Sequence, residues 1–153
     1  MSHLQPLHLL GPLMRALGFL QMIEEGLRLY VGTAEELIQA AVPYGIPFRV
    51  DSKLILRASL GRLIDMFAKL NRNDELIERL RQLPEHRNYI AHAAFMRAFD
   101  KRTDHQYAKK HATEVGDEAE KILMLIHQEM KCIMVNVPNS EMAKLLSGGE
   151  EII

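Results

Sequence analysis

The chain has 153 residues with 19 basic and 20 acidic side chains, long enough for one domain with a real core and too short for two comfortable ones. Its net charge of −1 gives no global attraction to nucleic acid or lipid, and no apolar run approaches the roughly 18–20 residues of a membrane span. The single cysteine, Cys132, cannot close an internal disulfide and Met1–Pro6 lack a secretory pattern, so a reducing cytoplasm is the expected compartment. Few aromatic residues, against many Leu, Ile, Ala and Met, lean the composition towards helix.

Apolar positions recur at helical spacing from Leu9 onward. Leu9, Leu13, Ala16/Leu17, Leu20, Ile23, Leu27 and Tyr30 form the stripe of one long amphipathic helix. Gly32-Thr33 is expected to interrupt it, with Thr33 and Glu36 as a capping box for a short helix ending before Pro43. Pro43-Tyr44-Gly45-Ile46-Pro47 reads as a loop. Asp51 or Ser52 caps the next helix, with Leu56, Leu60, Leu63/Ile64, Phe67 and Leu70 inward, and Asn71-Arg72-Asn73 turns the chain. A third helical segment starts near Asp74 and carries Leu76/Ile77, Leu80 and Leu83. There Pro84 either kinks it or opens a fresh helix.

The pattern resumes through Ile90/Ala91, Ala94/Phe95 and Ala98/Phe99. Thr103 with Gln106 is a second capping box, opening a last long helix with Ala119, Ile122/Leu123, Leu125/Ile126 and Met130 inward. Pro138-Asn139-Ser140 stops that helix and starts a short C-terminal helix and tail within 135–153. With no strand-like alternation, the expected fold is all-α: a single domain over 1–153, built as an antiparallel up-and-down bundle of four long helices with short extra ones.

Charge is not evenly spread. Residues 1–85 carry ten basic and ten acidic side chains. Residues 86–112 carry Arg87, Arg97, Lys101, Arg102, Lys109 and Lys110 against Asp100 and Asp104, and residues 113–153 carry three basic and eight acidic ones. Positive charge therefore gathers around Arg87-Asn88-Tyr89-Ile90-Ala91-His92, where a polyanion would benefit from it, although a charge cluster alone is usually a solvated face. In that hexapeptide Asn88 and His92 share a helix face, whereas Arg87, five positions from His92, points roughly 140° away. Arg offers a planar fork matched to phosphate oxygens and His titrates near neutrality. In RNA the 2′-hydroxyl is a nucleophile beside each phosphodiester, so a base, an acid and a cation suffice for cleavage without metal. The bland alternative is that Arg87 pairs with Glu85 or a neighbouring helix and His92 is a structural imidazole.

The Arg-Asn-x-x-x-His pattern at Arg87–His92, preceded by Leu60-Gly61-Arg62-Leu63-Ile64, resembles the signature of HEPN domains, small helical domains of many prokaryotic toxins and defence proteins. The resemblance implies a helical bundle that dimerises so that two motifs face each other across one cleft. It also implies, in many members, metal-independent endoribonuclease activity leaving a 2′,3′-cyclic phosphate. Carried over, Arg87 would stabilise the phosphate, His92 would be the acid/base and Asn88 would orient the pair. His86 and Tyr89 adjoin the site without being family positions; with Arg97, Lys101 and Arg102 of the basic cluster they are secondary candidates for substrate contact, and no metal or other cofactor is called for. Expected partners are RNA or a nucleotide, a second copy and an antitoxin or other partner protein, without membrane. The sequence continues His92-Ala93-Ala94, lacking the His-x-Tyr extension of one toxin subfamily. The alternative function is a non-catalytic HEPN-like module that binds a nucleotide, RNA or protein partner.

Other candidates are weaker. There is no His-Glu-x-x-His and no Gly-rich phosphate loop, and His105 with His111 has no paired acidic or thiol ligand nearby. Met124, Met130 and Met134, beside Cys132, read as core filler or dimer surface. Glu24-Glu25 and Glu35-Glu36 are sequence neighbours and are placed on solvated faces.

Overall fold

The computed structural model describes residues 5–94, 96 and 105–135. Every regular element among them is helical: α1 (Gln5–Ala41), α2 (Ser52–Arg57), α3 (Leu60–Leu70), α4 (Asp74–Arg81), α5 (Leu83–Asn88), a π-helical turn (Tyr89–Ala94) and α6 (His105–Met134). The all-α class expected from composition is therefore observed. Phe95, Ala98, Phe99, Thr103 and the tail beyond Val135 lie outside the described residues.

Among the described residues two helices are long. α1 has 37 residues and α6 has 30, about 55 Å and 45 Å at 1.5 Å per residue. Arg15 of α1 bonds Asp117 and Glu120 of α6, while Gly26, further along α1, packs on Leu123 and Ile126, further along α6. The two long helices thus run in the same direction. From Asn73 the connecting chain runs back antiparallel to α6. Asn73 meets Glu129, Arg79 meets Glu118, and His86 and Tyr89 meet His111, a descending order along α6. The expected second and third helices are broken into short pieces by this return.

The sequence stripes account for the core. Leu9, Leu13, Ala16, Leu20, Ile23, Leu27 and Tyr30 are all buried, as are Leu63, Ile64, Phe67, Leu76, Leu80, Leu83, Ile122 and Ile126. Full burial of such a side chain is worth about 1.5–3 kcal/mol. Two details differ. α1 does not stop at Gly32-Thr33, because Val31, Thr33 and Ala34 are buried and packing carries the helix on to Ala41. Leu56 is 69% exposed and Ile55 is buried in its place. Ala58–Ser59 breaks the run, so α2 and α3 do not share one helical register.

Caps fix the breaks. Asp51, Ser59 and Asn73 accept from the backbone amides of Leu54, Arg62 and Leu76, and Pro84 sits in the first turn of α5. Asn73 does two jobs: its Oδ1 caps α4 at 3.1 Å and its Nδ2 donates to Glu129 Oε1 at 3.0 Å. Asn71 donates to the other Glu129 oxygen and to the Tyr30 hydroxyl, tying the 71–73 turn to both long helices. Asn73→Ala is expected to lower the unfolding free energy by about 1–2 kcal/mol in a urea titration. Asn73→Asp should recover only part of that, since its carboxylate keeps the cap but faces Glu129.

Candidate functional site

Arg87 and His92 stand where α5 gives way to the π turn. Leu83 and Ile90 are buried and anchor this segment on the core, leaving Asn88 and His92 exposed. A π turn hydrogen-bonds residues five apart. The five-residue step from Arg87 to His92 therefore comes closer to a whole turn than the roughly 140° offset of an α-helix, and His92 is drawn part of the way back towards Arg87. Such bulges are frequent at functional sites.

Arg87 is held from beneath. Its Nε lies 2.8 Å from Glu24 Oε1, with the carboxylate side chain 8% exposed and the arginine side chain 42% exposed. The N–H is not aimed along the contact, which is an ion pair and not a linear hydrogen bond. Arg28 flanks the same carboxylate, with Nη2 3.6 Å from Glu24 Oε2 and 3.2 Å from the Ala58 carbonyl. A buried anion between two guanidiniums is a costly group to leave unpaired. It fixes Arg87 at Nε.

Glu24 was expected on a solvated face with Glu25. The structure corrects this: Glu24 is buried, whereas Glu25 is exposed. The signal was present, because position 24 falls between Ile23 and Leu27 on the inward stripe, four after Leu20.

A second cluster adjoins the motif. His111 of α6 makes ring contacts with His86 at 5.3 Å, with Tyr89 edge-on at 4.6 Å and with Tyr107 stacked at 6.2 Å. His86 and Tyr89 are thus brought together by a residue that sequence spacing considered only as a metal ligand. Lys109 and Lys110 are exposed beside it. Of the expected basic contacts, Arg97, Lys101 and Arg102 lie outside the described residues. Among the described residues no three His, Cys, Asp or Glu side chains converge as a metal site.

Burial, and secondarily the positive charge available to His86, holds the His111 imidazole below its ordinary value of 6.5, with Glu114 opposing. The unfolded chain takes up this proton at a higher pH than the folded one. The His111 contribution to stability is therefore fully present above about pH 6.5 and is lost as pH falls through the lower folded value. Urea titrations at about pH 7.5 and 5.5 should show wild type losing more stability on acidification than His111→Gln.

The described helices offer no segment long and apolar enough to cross a membrane. Comparison of the chain with family models, with characterised proteins and with solved structures finds no match.

Proposed function

We propose that the chain is a metal-independent endoribonuclease of HEPN type, with Arg87 and His92 as its reactive pair. The observation that supports this reading is that Arg87, paired through Nε with the buried Glu24, keeps 42% of its side chain exposed next to the π turn that bears His92. Arg79, by contrast, engages Glu118 through both Nε and Nη2. In this reading the exposed part of Arg87 binds the phosphate.

In this mechanism His92 removes the 2′-hydroxyl proton and the 2′-oxygen attacks the adjacent phosphorus. Arg87 neutralises charge on the non-bridging oxygens. The 5′-oxygen leaves with a proton from a second acid, giving a 2′,3′-cyclic phosphate and a 5′-hydroxyl. Asn88 orients the pair, and His86 and Tyr89, with Arg97, Lys101 and Arg102, contact the flanking RNA. In its fuller form, two copies contribute their motifs to one cleft on a HEPN-like helical frame, in a cytoplasmic toxin or defence system with an antitoxin partner.

The test is cleavage of labelled single-stranded RNA in EDTA, with analysis of the product ends. Cyclic phosphate ends formed without metal are expected. Cleavage that requires Mg²⁺ would reject the mechanism. RNA binding without cleavage would favour the second reading, a non-catalytic module that uses the same Arg87 and basic surroundings to hold an RNA or nucleotide phosphate.

A further inference from the structure

The rings around His111 grade from half-buried to open. Tyr89 stands edge-on to the His111 imidazole at 4.6 Å and His86 braces it at 5.3 Å, while the Tyr107 ring is nearly parallel to it, at 8° and 6.2 Å. Tyr89 and His111 are half-buried and Tyr107 is 60% exposed, so the cluster opens to solvent at Tyr107. Tyr30, by contrast, packs edge-on against Phe67 and is 2% exposed. Tyr107 and His111 are four apart on α6 and share a face, which holds the outer ring in place.

Lys110, three positions after Tyr107, adds positive charge to the same face. It reaches Glu114 only at 4.0 Å, with both side chains exposed, a contact of little net worth in water. Helix α5 separates the cluster from the Arg87 site. Arg87 reaches Glu24 of α1, whereas His86 and Tyr89 reach His111 of α6. Arg87 and Tyr89 are two positions apart and so point to nearly opposite sides of their helix at about 100° per residue, with the exposed Asn88 between them.

We propose that Tyr107, backed by His111, is a stacking platform for an unpaired nucleobase of single-stranded RNA. The platform rests on the reading of Arg87 as a phosphate ligand and gives the same strand a second point of contact. A strand that crosses α5 at Asn88 has Arg87 on one flank and Tyr107 on the other, so the stacked base belongs to a nucleotide further along than the phosphate on Arg87. Unpaired bases expose the flat faces that aromatic side chains take up, whereas in a duplex neighbouring bases cover them. Because every base has such a face, the platform selects single strands and tolerates sequence.

Fluorescence anisotropy with labelled 2′-O-methyl oligonucleotides, which lack the nucleophilic hydroxyl and stay intact, tests the platform. One probe is a mixed-sequence single strand and the other its abasic counterpart, with the same phosphates and no bases. Tyr107→Ala should weaken binding of the base-bearing probe by about 5–150-fold and leave the abasic probe unchanged. Tyr107→Phe keeps the ring and should bind like wild type. Tyr44→Ala, at an exposed tyrosine beyond the far end of α1, should change neither probe. Lys110→Ala should weaken both probes alike, as expected of a phosphate contact. Tyr107→Ala that binds the base-bearing probe like wild type, an equal loss on both probes, or a wild type that binds neither would each overturn the platform. Cleavage in EDTA is scored separately. Cleavage without base-dependent binding removes the platform and keeps the ribonuclease reading, and base-dependent binding without cleavage does the opposite.

Discussion

Substituting His92 by alanine is expected to slow single-turnover RNA cleavage by about 10²–10⁴-fold, the usual contribution of a positioned acid or base. The exposed position of His92 makes the variant informative, because truncating an exposed side chain normally changes stability by no more than about 0.5 kcal/mol. Its melting temperature should therefore match that of wild type. Arg87→Lys belongs in the same experiment. Lysine keeps the charge but has no planar fork to divide between Glu24 and a phosphate, so cleavage should fall even if RNA is still bound. Undiminished cleavage by His92→Ala would sink the proposed chemistry. A loss of cleavage that tracks a loss of folded protein would sink it equally.

Glu24→Ala should be the most damaging single change to a charged residue of α1. It leaves two guanidiniums facing an apolar gap where a carboxylate stood. Removing one partner of a buried pair typically costs about 3–5 kcal/mol. Arg87 is 42% exposed and can turn its charge to water, so the lower end applies, about 3 kcal/mol. In a chain of this size that corresponds to a fall in melting temperature of about 6–12 °C. Glu36→Ala, on the exposed face of the same helix, should stay within about 0.5 kcal/mol and serves as the reference. Glu24→Gln separates the two roles of the carboxylate. It restores volume and part of the hydrogen bonding, so stability should partly recover, but it no longer anchors Arg87 by charge and cleavage should stay low. If Glu24→Ala and Glu36→Ala unfold alike, the buried ion pair is not what holds this corner together.

These expectations rest on residues that differ in how visible they were in the sequence. The inward stripes were legible because 3.6-residue spacing speaks directly about burial: Leu13, Ile23, Leu63, Phe67 and Ile122 all lie inside. Helix starts were legible where a side chain caps the first turn, as at Asp51, or a proline opens it, as at Pro84. Direction was not. Periodicity says that a helix has an inner face, but nothing about which end of another helix it lies beside, and short connections pointed to antiparallel neighbours. The descent from Asn73 to the π turn along α6 is what allows α1 and α6 to run in the same direction. Glu24 and His111 were missed for a related reason. Each matters through a residue far away in the chain, Arg87 and His86 respectively, and charge or spacing counted locally could not pair them. The π turn left no local trace either, since Tyr89–Ala94 fits an α-helical stripe equally well.

The parallel pairing of α1 and α6 bears on how this chain reaches its native state. All-helical domains usually fold fast because their contacts are local. Here the ion pairs that join the two long helices link residues 102 and 105 positions apart. Their apolar seam spans comparable separations, with Gly26 packed on Ile126. Loop closure over such a distance must precede the main burial of surface, so folding should be slower than helix content alone would imply. During synthesis α1 emerges with the part of its inner stripe that faces α6 uncovered until α6 has followed. For that interval the chain is a natural client for a chaperone.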